Sequence, residues 1–174
     1  MIMTGPMRRL LATAGLASSL ILSAAPALAA QKDIDFLKDY LGSWRGRGTL
    51  TGANVETVAC KLTMSNGNSD KINYSGRCVL AGSNLSISGT IAYIDDKQRY
   101  EAIMTSNASF TGVAVGHKQG SGVVFNLQER DKDEGKELAI SAVISLLNGG
   151  VDVNFHVVDV ASGDVIDARV PFIR

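Results

Sequence analysis

Cysteine and histidine each occur only twice in the 174 residues. Zinc needs three or four ligands of that kind, and His117 and His156 lie far from Cys60 and Cys78 along the chain. The same distance leaves neither cysteine with a neighbouring base to activate it. No Gly-x-Ser-x-Gly elbow and no phosphate-cradling glycine loop occurs, so the sequence presents no catalytic constellation, no metal site and no cofactor motif. A surplus of one charge is also lacking. The 17 basic residues balance 17 acidic ones, which argues against a nucleic-acid binder and against stable binding to anionic lipid. A membrane helix would need about twenty continuous apolar residues, and the apolar run near the start breaks at Pro26.

That early run has another meaning. Arg8 and Arg9 are the only charges in the first thirty residues, Leu10 to Leu22 is apolar apart from small residues, and Ala27-Leu28-Ala29 gives the small-x-small pattern of a signal-peptidase site. Residues 1–29 are read as a cleaved signal peptide and 30–174 as the mature domain, periplasmic or secreted, with no membrane span. A lipoprotein would need a cysteine just after the cleavage site, and the first is Cys60. The mature part has about 145 residues, with 15 basic against 17 acidic, a formal charge of −2. That length suits one domain with its own core.

In an exported chain two cysteines read as a disulfide, Cys60 to Cys78. Val58, Cys60, Leu62 and Met64 form one apolar set at a spacing of two, and Ile72, Tyr74, Cys78 and Leu80 form another. Each cysteine therefore sits on the buried face of its own strand. The linking residues 65–70 are turn formers, and they contain an Asn66-Gly67 pair. A two-residue turn there would set Cys60 opposite Asn73, too far from Cys78 for a bridge that needs Cα atoms within about 7 Å. A looser loop sets Cys60 opposite Cys78. The cysteines outrank the dipeptide, because a buried free thiol pair is the rarer outcome in an oxidising compartment.

Residues 33–41 are the helical candidate: Ile34, Leu37 and Leu41 share a face, Asp33 caps the start and Gly42 ends it. From Trp44 onward the pattern is strand and turn, with strands expected at 44–51, 55–64, 70–80, 84–94, 98–106, 110–117, 122–130, 136–147, 151–160 and 164–173. Short turns and no helical crossovers make neighbours antiparallel, and closure removes the exposed edges of such a meander. The expected fold is all-β: an antiparallel up-and-down barrel of about ten strands with a short N-terminal helix. Eighteen glycines suit the bends of a barrel. Inward positions held by Gly76, Gly89, Ala102, Ala142 and Ala168 would leave space inside. The acidic run Glu129, Asp131, Asp133, Glu134 and Glu137 lacks calcium-loop spacing and reads as a solvated hairpin tip.

Gly42-Ser43-Trp44-Arg45-Gly46-Arg47-Gly48, after a short helix, resembles the opening of calycin-type barrels: lipocalins, nitrobindin-like and fatty-acid-binding proteins. The resemblance covers about fifteen residues and the strand count. It implies that Trp44 plugs one end of the barrel with Arg169 or Arg174 stacked on it. A nitrobindin-like protein would use a late histidine as haem ligand, but parity turns His156 outward. The resemblance also implies a small apolar or amphipathic ligand inside, lined by Trp44, Tyr74, Tyr93, Tyr100, Met104, Phe125 and Phe155. The alternative is a cell-envelope interaction module, such as a protease inhibitor or assembly factor, meeting a protein partner through a protruding segment at 30–35.

Overall fold

A computed structural model describes residues 25–174 other than 69, 81–82, 108–110 and 134–135, with side chains described from Gln31 onward except at 131–133 and 136. The signal segment 1–24 lies outside the described residues. One helix, α1 (Ala25–Lys38), precedes ten strands: β1 (Gly42–Thr51), β2 (Val55–Asn66), β3 (Ile72–Leu80), β4 (Ser83–Ile94), β5 (Arg99–Ser106), β6 (Thr111–Gln119), β7 (Gly122–Asp133), β8 (Lys136–Leu147), β9 (Gly150–Asp159) and β10 (Val165–Ile173). Each strand pairs with its chain neighbour, and β1 pairs with β10 to close the barrel. All these pairings are antiparallel.

Strict alternation builds this architecture. Trp44 and Gly46 on β1, Val58, Cys60 and Met64 on β2, and Val123, Phe125 and Leu127 on β7 are buried, while Arg45, Ala59, Lys61, Thr63 and Asn126 between them are exposed. The outward set is rich in Arg, Lys, Ser, Thr and Asn. A barrel that crosses a membrane turns its apolar side out; here the buried apolar set faces in, and the outer face carries exposed Val79, Ile103, Val113 and Val143 among its polar residues. No helix among the described residues is long and apolar enough to cross a membrane.

The disulfide joins Cys60 and Cys78, directly opposed at a Cα separation of 4.0 Å. The looser loop therefore prevails over the Asn66-Gly67 turn. Gly67 N–H donates to the Lys71 carbonyl at 2.7 Å, and Asp70 takes a positive φ of 58° to complete the bend.

The helix departs from expectation. It starts at Ala25 rather than Asp33 and yields at Lys38 to a tight turn, in which Asp39, Tyr40 and Leu41 donate to the carbonyls three residues back. Asp33 thus lies inside the helix rather than at its N-cap. Its carboxylate is drawn into the core, 2% exposed, by partners on the barrel wall. Ile34, Leu37 and Tyr40 are buried beside it, so α1 seals one end of the barrel. Residues 30–35 therefore do not protrude: they are a docked helix, held by the burial of Asp33 and Ile34.

Candidate functional site

The barrel interior has two unlike ends. At the helix end, Trp44 is 2% exposed and its indole N–H donates to the Tyr40 carbonyl at 2.9 Å. Tyr40 stacks on it with ring centroids 6.1 Å apart. The Arg174 guanidinium lies over the indole, 4.7 Å from its centroid, and donates to the carbonyls of Asp39 and Leu41. One C-terminal cation thus fastens the helix turn and the tryptophan together. Arg169 has no part in this: its side chain lies on the outer face, donating to Asp152 at 3.3 Å. Its neighbours Val170 and Phe172 hold the inward parity of β10.

A polar knot lies behind the tryptophan. The Tyr100 hydroxyl donates to Asp33 Oδ1 at 2.7 Å, and the Lys118 ammonium pairs with the same oxygen. Burial, then the Asp33 carboxylate, pushes the Tyr100 hydroxyl well above its ordinary pKa. Tyr93 and Phe125 meet the Tyr100 ring edge-on, at 5.0 and 6.1 Å. From sequence, Asp33 reads only as a helix cap and Lys118 has no assigned role. Lys118 falls on the inward parity of β6 behind Ala114 and Gly116, and a charge on that apolar set was the available signal.

Tyr100 and Phe125 are each 1% exposed, and Met104 and Tyr74 are buried. Tyr74 donates to the Ile103 carbonyl at 3.0 Å, and burial raises its pKa. Much of the space beside the small inward residues is already filled. A Cβ on Gly89 would meet the Tyr74 hydroxyl at 2.8 Å, one on Gly76 would meet Ile87 at 2.9 Å, and one on Gly116 would meet Phe125 at 2.6 Å. Of the seven expected lining residues, Trp44, Tyr74, Tyr100, Met104 and Phe125 are packed core around the plug, and Tyr93 and Phe155 are half-buried.

At the opposite end, among the described residues, the same parity is only partly buried. Leu50, Leu80, Leu85 and Leu138 face inward but stay half-buried, and Ile166 is 42% exposed. Half-buried Glu56 and Glu129 hold inward register positions there, opposite Leu50 and Ile140. This mouth is an apolar rim with carboxylates, and alternation by itself does not tell which end of the barrel is covered.

His156 points outward, as parity requires, and its Nδ1 lies 2.6 Å from Asp167 Oδ1. The pair sits on a shallow outer depression of about 380 Å³ that also includes Ser141 and Arg169. His117 is exposed near the end of β6. Within the acidic run, Glu137 pairs with Arg130 at 2.9 Å.

No protein-family model matches the sequence, and no curated protein is found to be similar to it. Solved structures share its fold, and two of them illustrate the likeness. Rv2717c from M. tuberculosis superposes with a TM-score of 0.61 at 15% identity, covering 87% of this chain and 99% of that one. The S-type phycobiliprotein lyase CPES from Guillardia theta gives 0.57 at 13% identity, covering 80% and 90%. At these identities the likeness is one of fold: the chain shares with them the architecture of a closed antiparallel barrel.

Proposed function

We propose that the mature protein is a periplasmic or secreted barrel of the calycin type that holds a small apolar or amphipathic ligand at the end opposite α1. One observation carries this reading: inward leucines and Ile166 at the mouth remain half-buried or exposed, while the same parity at the helix end is closed. Apolar surface left open in a concave site is stabilised by a ligand that covers it, at about 25 cal/mol per Å². The disulfide is in keeping with export, and the fold is one that a phycobiliprotein lyase also uses. The packed aromatic plug moves the proposed lining from Trp44, Tyr100 and Phe125 to Leu50, Leu80, Leu85, Leu138 and Ile166.

Titration with Nile red tests it. A saturable, blue-shifted signal with one site per chain is expected, and it should be lost in Leu85→Asp and Ile166→Asp, both at the mouth. A signal that survives both substitutions, or no saturable signal, overturns the assignment. Native mass spectrometry of protein from its own host would then give the mass of the ligand, and N-terminal sequencing of the same sample should begin at Ala30 or Gln31.

A further inference from the structure

The outer face of β1–β4 separates charge in a chain that is neutral overall. Arg45, Lys61 and Arg77 are register partners on three consecutive strands, and the row continues to Ser86 on β4. Arg45 and Arg77 are two strand spacings apart, roughly 10 Å, and Arg47 lies one outward step further along β1. Among the described residues, no outward position on these four strands carries Asp or Glu, and none of the four cations has an ion-pair partner; Arg77 donates only to Asn84, at 3.4 Å. Elsewhere Lys38, Lys97, Arg99, Lys118, Arg130 and Arg169 each meet a carboxylate, while Lys32 and Lys71, like these four, meet none among the described residues.

Beside this row runs a second one, Thr63, Ser75, Ser88 and Thr105, directly opposed across β2–β5. Lys61, Arg77 and these hydroxyls line an open depression of about 520 Å³. Ser88 and Thr105 bond to each other, whereas Thr63 and Ser75 have no side-chain partner among the described residues.

We infer that this face binds an acidic saccharide, its carboxylates or phosphates on the cationic row and its ring hydroxyls along the Ser/Thr row. Guanidinium forks match such anions with paired hydrogen bonds, and a hydroxyl both donates and accepts, as a polyol requires. The depression has no aromatic lining, so it offers no stacking platform of the kind single-stranded nucleic acids use. The inference is independent of the ligand at the mouth.

Calorimetric titration of the mature, disulfide-bonded protein at low salt tests it with a decagalacturonate, a neutral malto-oligosaccharide of equal length, inorganic polyphosphate and phosphatidylglycerol vesicles. The acidic saccharide is expected to bind and the neutral one not to. Arg45→Gln with Lys61→Gln should weaken binding about three- to tenfold, the sum of two exposed charge contacts. Lys32→Gln with Lys38→Gln removes the same charge from the helix, away from this face, and should leave it unchanged. Thr63→Val with Ser75→Ala should weaken the saccharide and spare polyphosphate. Equal loss in both charge variants, no loss on removing the hydroxyls, or preference for polyphosphate or vesicles overturns the inference.

Discussion

Asp33 carries a carboxylate into the core, where Tyr100 and Lys118 meet it. The Lys118 side chain is 61% exposed, so on loss of Asp33 its ammonium can turn to water and only the tyrosine hydroxyl is stranded. Asp33→Ala should therefore cost about 1–3 kcal/mol, read from urea unfolding, less than a fully buried ion pair would lose. The tyrosines give the pH dependence. Burial pushes Tyr74 and Tyr100 above the ordinary value of 10.0, so the folded state keeps protons that the unfolded chain releases. Their contribution is complete below pH 10 and declines as pH rises above it. Between pH 8 and 11 the melting temperature should fall more steeply for the native chain than for a Tyr74→Phe, Tyr100→Phe variant. Parity placed both rings inside. It could not tell a packed plug from a ligand lining, because that depends on which of two barrel ends a distant helix covers.

At the level of elements, strands were legible and the helix less so, for one physical reason. A strand's period of two is rewritten at every residue and needs no partner to be recognised. The helix was read from a cap and an apolar face, and Asp33 offered a plausible cap while serving a tertiary contact. Leu37 marks where the helix enters the barrel, at 0% exposure. Leu37→Ala should cost about 2–5 kcal/mol and expose Trp44, seen as a red shift of its fluorescence. In the β2–β3 hairpin the local and long-range signals disagreed, and the disulfide register won. Replacing Cys60 and Cys78 together by alanine should lower stability by about 3 kcal/mol on the chain-entropy account. The Asn66-Gly67 dipeptide then becomes free to compete for register, so amide exchange should rise in β2 and β3 first.

Closure belongs to the whole molecule and has no local signature. The need to hide edges favoured a barrel, but nothing in β1 names β10 as its partner. The seam explains how they meet. Pairing runs Arg45 to Ile173 and Gly46 to Phe172, then resumes at Thr49 with Arg169. Pro171, which has no N–H to donate, occupies the interval. There β10 crowds β1: a Cβ on Gly48 would stand 1.9 Å from the Arg169 carbonyl oxygen. That neighbour is strand backbone, which cannot swing aside as a side chain can. Gly48→Ala must move one strand off the other, at a cost of about 1–3 kcal/mol. Since β1 and β10 are the first and last strands, the strain opens the ring rather than a hairpin. Exchange should quicken along Arg45–Thr49 and Arg169–Ile173 while the β7–β8 hairpin keeps its protection. Gly149, with a φ of 72° and nothing near its Cβ position, is the contrasting site: alanine there strains only a turn, and the seam should stay protected. If Gly48→Ala leaves seam exchange unchanged, the close approach at Arg169 is not what sets closure.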